Sequence, residues 1–314
     1  MPVREILAGI GVVCALGCGL WLWRWTWRAP AAARFPAYGW FGLAAIAGLE
    51  AALFGHLPWV GRYFTPLIWT AYIAVAGACV ERIRGESPIR QAGPFAAQAL
   101  LSMPVWLLFE AYNFRLRNWR YVGVPAHFWN FLLSGSWAFA TIFPGIFLTA
   151  EILYHARLHN KICRPWRPSP GLRAGLGLLG LLCVLAPLFT PQHLAAYQFG
   201  LVWIGFVALD LVNDALGWPS LLADLRAGAP GRGLALLGAG VICGFFWEFW
   251  NYWAGARWQY IFPIGQKIKV FEMPAPGFLG FPPFVLECFT LYVFCAWALL
   301  PPRLRRAPLD RAQR

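Results

Sequence analysis

Two copies of one pattern place an acid inside an apolar, aromatic stretch. Each copy has a Glu and an Asn three residues apart, a Trp-x-Tyr, and a Phe-Pro that precedes another Glu. The first copy is Glu110, Asn113, Trp119, Tyr121, Phe143, Pro144 and Glu151, and the second is Glu248, Asn251, Trp258, Tyr260, Phe281, Pro282 and Glu287. Burying an acid among apolar groups is costly, and such residues usually have a function. The pattern therefore indicates one site built twice.

The second copy is suited to acid/base chemistry. Glu248 and Asn251 share one helix face, one turn apart. A rise of 1.5 Å per residue puts Glu248 ~9 Å and Glu287 ~15 Å below the outer helix ends, so we expect the two carboxyls to converge. Burial favours a protonated carboxyl, and aromatic faces stabilise a cation. The candidate catalytic residues are Glu248, Glu287, Asn251 and Glu110; the candidate substrate-binding residues are Trp247, Trp250, Trp258, Tyr260, Asn113, Trp119 and Tyr121.

A purely structural interpretation of the same residues stays open, in which Glu248 and Asn251 only hydrogen-bond neighbouring helices. The first copy is also degenerate, because Glu151 lies seven residues past Pro144 whereas Glu287 lies five past Pro282. We therefore expect Glu151 near the cytoplasmic end, out of reach of Glu110. Repeat one is then mainly structural, or lends Glu110 and Trp119 to a shared pocket.

Other polar residues are weaker candidates for a functional site. The spacing of Glu151, His155 and His159 allows a metal site, but a helix end in water explains it better, and we predict no metal and no cofactor. Asp210 and Asp214 could hold a cation or proton, or form a solvated helix end. Lys267 and Lys269 indicate the headgroup level. Seven of the eight Cys lie in apolar segments, without a CxxC pair, as small core residues do.

Composition sets the protein class. The 314 residues are 60% hydrophobic and 12% charged, and a soluble domain carries about twice that charged fraction. Long apolar runs recur throughout, which predicts an all-α polytopic membrane protein. The net charge of +13 comes from Arg at the ends of these runs, a topology signal and not a nucleic-acid site.

We predict about nine transmembrane helices, namely a leading helix and two tandem parallel four-helix repeats. The first apolar run, Ile6 to Leu22, resembles a signal peptide but lacks a cleavage site, and Cys18 is a poor match to a lipoprotein signal. The other spans are about 36–54, 64–83, 93–112, 129–155, 172–190, 196–216, 231–254 and 278–300. The chain divides into a leading helix (1–34), repeat one (35–165), repeat two (166–300) and a basic tail (301–314). Four helices per repeat give both repeats one orientation.

Lys and Arg set the predicted orientation. Nine helices put 18 of these residues on one side and 8 on the other, and the richer side is cytoplasmic. We therefore expect a multi-pass protein of the bacterial inner (plasma) membrane, with its N-terminus outside and both Trp-x-Tyr loops facing outward. The apolar segment between Gly255 and Gly277 should fold back as a lid that places Trp258 over Glu248 and Asn251.

These residues resemble the membrane-integral lycopene cyclase domain family of tandem-repeat carotenoid cyclases. The counterparts are Glu110, Trp119, Tyr121, Pro144 and Glu151, then Glu248, Trp258, Tyr260, Pro282 and Glu287. The family's Pro-x-Glu-Glu is replaced by one Glu at longer spacing, and its repeats have three helices. The resemblance implies proton-initiated, redox-neutral chemistry on a polyisoprenoid, in which a protonated Glu donates to a double bond, Trp shields the carbocation, and a carboxylate removes a proton.

Three functions fit the sequence. The first is an intramembrane enzyme on a lipophilic, carotenoid-like isoprenoid or a lipid, with Glu248 as the acid. The second is a transporter or lipid-binding protein that uses the same buried-acid pocket. The third is a structural partner in a larger membrane complex. The expected partners are a lipophilic small molecule or lipid and the membrane, and not nucleic acid.

Overall fold

The predicted helical, membrane-spanning class is confirmed. A computed structural model describes residues 3–158, 161–198 and 200–309. Within these residues, eight mostly helical segments are long and apolar enough to cross a membrane: Arg4–Arg28, Ala37–Phe54, Pro58–Arg84, Ala92–Leu116, Phe128–Leu158, Pro170–Phe189, Gly231–Trp253 and Ala275–Leu299. Eight such segments indicate a membrane protein.

The helices and strands follow in chain order. The helices are α1 (Val3–Arg28), α2 (Ala37–Phe54), α3 (Pro58–Arg84), α4 (Ala92–Leu116), α5 (Phe128–Ala140), α6 (Ile142–Leu153), α7 (Pro170–Phe189), α8 (Gln192–Ala195), α9 (Phe206–Ala215), α10 (Leu221–Arg226), α11 (Gly231–Trp253) and α12 (Phe281–Leu299). The strands are β1 (Trp119–Val122), β2 (Arg257–Tyr260), β3 (Lys269–Val270) and β4 (Met273–Pro274). The all-α prediction contained no strands, which form where the two Trp-x-Tyr loops and the lid fold back.

The span predicted at 196–216 is not one continuous helix. It contains a 3₁₀ turn at Val202–Gly205 and then the ten-residue α9. Gly200 has a φ of +89°, a left-handed conformation that interrupts a helix and that glycine adopts without strain. The described residues therefore contain eight long apolar helices where we expected nine.

Arg4 and Arg306 lie at opposite ends of the bundle. At the Trp-loop end, which carries β1 and β2, Arg4 pairs with Glu272 at 3.4 Å. At the tail end, Arg306 pairs with Glu151 at 3.3 Å. The broken segment runs between these ends, since Thr190 bonds Gln198 near the first and Arg173 pairs with Asp214 near the second.

The core is built around α11, which packs closely against α12. A Cβ added at Gly240 would meet the Pro282 Cα at 2.7 Å and the Phe281 carbonyl oxygen at 2.8 Å. Glycine thus lets the two backbones approach, as small residues do between membrane helices. On α3, Trp69 packs against Trp247 with ring centroids 5.0 Å apart. The two repeats therefore share one aromatic core.

Candidate functional site

The two Trp-x-Tyr loops meet in one antiparallel strand pair. Trp119 on β1 lies opposite Tyr260 on β2, and Tyr121 lies opposite Trp258. Each Trp of one repeat therefore faces the Tyr of the other. The two copies of the sequence pattern form one two-sided site at the Trp-loop end.

An asparagine holds each strand to its helix. Asn251 donates from Nδ2 to the Trp258 carbonyl at 2.9 Å and accepts the Trp258 N–H on Oδ1 at 2.9 Å. Asn113 does the same with Trp119, at 2.9 and 3.2 Å. The nitrogen and the oxygen of each side-chain amide are hydrogen-bonded to backbone groups, as a neighbouring strand would bond that backbone. Asn113 and Asn251 thus position the loops, and the catalytic role predicted for Asn251 and the substrate-binding role predicted for Asn113 stay predictions.

Glu248 is fully buried beneath the β2 strand. Its Oε1 accepts the Tyr260 hydroxyl at 2.9 Å, and that hydroxyl accepts the Trp258 indole N–H at 2.9 Å. Its Oε2 is buried and has no hydrogen-bond partner. Burial and the adjacent Glu248 hold the pKa of Tyr260 well above its ordinary value, so this phenol stays a neutral donor.

Glu110 has surroundings like those of Glu248, but its carboxyl accepts hydrogen bonds from more donors. Its Oε1 accepts the Tyr121 hydroxyl at 2.5 Å, the Trp119 indole at 3.2 Å and the Trp106 indole at 2.8 Å. Three donors on one oxygen suit a carboxylate, which only accepts hydrogen bonds.

The third donor explains the asymmetry between the two acids. The repeat offset that pairs Glu110 with Glu248 pairs Trp106 with Gly244. A Cβ at Gly244 would lie 2.4 Å from the Phe281 ring, so an aromatic of the next helix fills the space where an indole donor could stand. Sequence analysis missed Trp106, although a Trp one helical turn before a buried acid is a usable signal.

Trp247 and Trp250 pack in the aromatic core instead of lining the Glu248 carboxyl. Trp247 packs on Trp69, and Trp250 stacks on Phe246 at 5.3 Å. The Trp250 indole donates to Glu50 on α2 at 3.0 Å. Sequence analysis overlooked Glu50, although it is an acid inside a predicted span. Trp258 and Tyr260 are the aromatics that reach the Glu248 hydrogen-bond network.

Glu287 does not contact Glu248. Its carboxyl lies against Gly205, where an added Cβ would stand 3.4 Å from Oε1 and 3.5 Å from Oε2. Glu248 instead faces the β2 strand through Tyr260. The two carboxyls therefore lie in different surroundings. Depth along a helix sets the height of a side chain but not the direction in which its face points.

Glu151 is buried, so the expected helix end in water is wrong. It accepts from Arg84 at 3.2 Å, Arg306 at 3.3 Å and the Leu309 N–H at 3.1 Å, and contacts His155 at 2.8 Å. This ion cluster holds the C-terminal segment. His159 lies outside the described residues, and among those described no group of three His, Cys, Asp or Glu could hold a metal ion.

The Asp210 and Asp214 pair is structural. Asp210 accepts the Leu221 and Leu222 backbone N–H groups at 2.8 Å each, at the N-terminus of α10. Asp214 pairs with Arg173 at 2.8 Å and Arg226 at 2.6 Å. Both carboxyls are buried, so they do not form a solvated helix end.

The segment 255–277 folds back as a lid, as its composition predicted. Phe262 and Phe271 are each 1% exposed, and Phe271 packs on α1 near Gly11. Lys269 donates to the Tyr260 carbonyl at 3.2 Å, and burial lowers the pKa of its ammonium. Lys269 therefore lies inside the lid, and the headgroup level expected for Lys267 and Lys269 stays a prediction. The lid covers Glu248.

No protein-family model, curated protein or solved structure matches this chain. The geometry alone therefore indicates what the site can do. Two carboxyls, each bonded to a tyrosine hydroxyl of its own loop, lie at one face of a strand pair and differ in their number of donors. Such a pair can give a proton from one carboxyl and accept one on the other.

Proposed function

We propose that this protein is an intramembrane enzyme that adds a proton to a lipophilic substrate and removes another. The substrate is a carotenoid-like isoprenoid or a lipid, the acid is Glu248 and the base is Glu110. The observation that supports this most is the β1–β2 register, which joins the Tyr partners of the two acids in one site.

Glu248 is suited to donate. A neutral carboxylic acid tolerates full burial and an unpartnered oxygen better than a carboxylate does. In the proposed step its O–H bond breaks, the proton forms a C–H bond at a double bond, and a carbocation remains. The Trp258 ring next to this carboxyl can stabilise that cation.

Glu110 is suited to accept. Its three donors stabilise a carboxylate before the reaction begins. It takes a proton from the carbon beside the cation, and the electrons of that C–H bond re-form a double bond. The result is a redox-neutral isomerisation or cyclisation. A proton then returns from Glu110 to Glu248, which restores both groups for the next cycle.

Substrate entry requires the lid to move, because Glu248 is fully buried. Opening at the β2 strand exposes the acid, and closing excludes water from the cation. The carotenoid-like substrate follows from the resemblance to the lycopene cyclase domain, with Trp258 and Tyr260 in place of that family's Trp-x-aromatic.

The proposed setting is the bacterial inner membrane, with two parallel four-helix repeats after a leading helix, the N-terminus outside and the C-terminus cytoplasmic. An odd number of passages is favoured because Arg4 and Arg306 lie at opposite ends of the bundle. The broken segment then supplies the ninth passage. Reporter fusions after Lys269 and at Arg314 should report opposite sides.

Mass spectrometry of lipids that co-purify with the protein tests the function. The wild type should retain a product-like isoprenoid or lipid, and Glu248→Gln should retain its unreacted precursor, because Gln keeps the shape but not the proton. Glu86→Gln, an exposed acid at the tail end, is the matched control. Identical lipid profiles in all three proteins at equal expression would exclude the proposal.

A transporter is the second candidate, and the broken segment favours it. Secondary transporters bind substrates where membrane helices are interrupted. Flux of a labelled lipophilic substrate into liposomes, without its chemical conversion, would identify this function and set aside the enzyme.

A further inference from the structure

Glu287 is a buried acid that the proposed acid/base pair does not use. The residue is 6% exposed, and its Oε2 is buried without a hydrogen-bond partner. An unpartnered carboxyl oxygen in such a place is expensive, and repeat one avoids it. With Phe143-Pro144 aligned on Phe281-Pro282, the counterpart of Glu287 is Thr149.

Thr149 shows what an ordinary residue does at this position. Its hydroxyl bonds the Gly145 carbonyl at 2.7 Å and the Tyr72 hydroxyl at 2.6 Å. The Thr149 hydroxyl therefore has its hydrogen-bond partners inside the core. Glu287 therefore differs in kind from its counterpart in repeat one, and the free-energy cost of burying its carboxyl indicates a function.

The 3₁₀ turn at Val202–Gly205 lies directly against this carboxyl. Both Glu287 oxygens lie within 3.5 Å of the position of a Gly205 Cβ, which is ordinary van der Waals contact with the end of the turn. Gly205 lies ten residues from the tail-end terminus of α9, or ~15 Å deep. A 3₁₀ turn at that depth has poorer hydrogen-bond geometry than an α-helix.

The groups around Glu287 are neutral or engaged elsewhere. On α4, Tyr112 lies within electrostatic range of Glu287, and its hydroxyl donates to the Val184 carbonyl of α7 at 3.1 Å. On α9, Asp210 is bound to backbone N–H groups. On α11, Arg232 lies over the Phe289 ring and pairs with Asp224. Next to Glu287 itself is the Cys288 thiol.

We propose that Glu287 and the 3₁₀ turn at Val202–Gly205 form a second proton-binding site, separate from Glu248. The proton resides on the carboxyl, whose two oxygens lie against the turn at Gly205. Binding breaks no covalent bond other than the O–H bond of the exchanging proton. This inference holds whether the protein is an enzyme or a transporter.

A carbodiimide tests the site, because dicyclohexylcarbodiimide reacts with protonated carboxyls in apolar surroundings. The full-length protein in detergent is treated across a pH series and the adduct is located by peptide mapping. We expect an adduct on Glu287 that falls roughly tenfold for each pH unit above its midpoint. No adduct on Glu287, or one independent of pH, would overturn the proposal.

Two further arms sharpen the result. Added Na⁺ at fixed pH should leave the adduct unchanged, whereas protection by Na⁺ would assign a metal cation and overturn the proton site. Glu287→Thr copies the residue of repeat one and should remove this adduct while any adduct on Glu248 stays. The Na⁺ and pH arms use the wild type, so they decide the matter even if the variant is unstable.

Discussion

Tyr121 and Tyr260 occupy equivalent positions in the two repeats and lie on the two strands of one pair. The hydroxyl of each donates a hydrogen bond to the Glu of its own repeat. The distances are 2.5 Å to Glu110 and 2.9 Å to Glu248. The hydroxyls have the same role but unequal surroundings. Glu110 has two further donors, whereas Tyr260 is the hydrogen-bond partner of Glu248.

Tyr260→Phe should therefore impair function more than Tyr121→Phe. Removing the Tyr260 hydroxyl leaves a buried carboxyl without its donor, a loss of about 1–3 kcal/mol. Glu110 keeps both indoles in Tyr121→Phe. Thermal unfolding and the co-purified lipid profile measure the two effects. Equal losses in the two variants would contradict the difference between the acids.

Trp258→Ala should impair function more than Trp253→Ala. The Trp258 indole bonds the Tyr260 hydroxyl, while Trp253 stands 37% exposed and packs on Phe54. Retained product in the co-purified lipid measures function, and aqueous iodide quenching compares each variant with the wild type. If Trp258 contributes a shielded ring, its removal leaves the intensity of the readily quenched emission unchanged and lowers only the shielded emission. A fall in the readily quenched intensity would indicate an open cleft.

Asn251→Ala should loosen the lid. The change removes both bonds to the Trp258 backbone and leaves buried groups unpaired, at a cost of about 1–3 kcal/mol each. Hydrogen exchange of the 257–260 amides should accelerate, while the amides of α12 keep their protection. Asn213→Ala, which removes a bond to Thr290 away from the lid, is the control. Accelerated exchange at 257–260 in both variants would indicate general destabilisation.

Gly240→Ala should destabilise the bundle, because its Cβ would press on the backbone of Pro282 and Phe281. Overpacking of this kind costs about 1–3 kcal/mol or more. Gly233→Ala on the same helix has open space around the new methyl and should be neutral or stabilising by up to about 1 kcal/mol. Thermal unfolding in one detergent compares the pair. Similar melting temperatures would contradict the α11–α12 contact.

Glu151→Gln should release the C-terminal segment. Arg84 and Arg306 lose their buried counter-charge, and breaking such a pair costs about 3–5 kcal/mol. Limited proteolysis at Arg305 and Arg306 should become faster. Glu86→Gln, which is 52% exposed, should leave the cleavage rate unchanged. An unchanged rate in Glu151→Gln would mean that the segment is held by other contacts.

The sequence indicated the duplicated pattern because identical residue types recur at a near-constant offset, as in Glu110-Asn113 and Glu248-Asn251, but it did not predict that the two Trp-x-Tyr loops pair as strands. It also located the lid, whose apolar content excluded a solvated loop. Helix direction could not be read in the same way. Glu287 faces Gly205 because of the rotation of α12 about its own axis. Glu151 is buried partly by Leu309, which is distant in the chain. Long-range partners of this kind leave no local pattern.

The β1–β2 register has a consequence for the history of the chain. Trp119 pairs with Tyr260 and Tyr121 with Trp258, which is the pairing that two identical Trp-x-Tyr strands adopt about a twofold axis. Such a contact is self-complementary, so it serves a homodimer of single repeats as well as it serves the fused chain. The two halves are not identical, because Glu110 accepts the indole N–H of Trp106, whereas Gly244 and the Phe281 ring occupy the equivalent place beside Glu248.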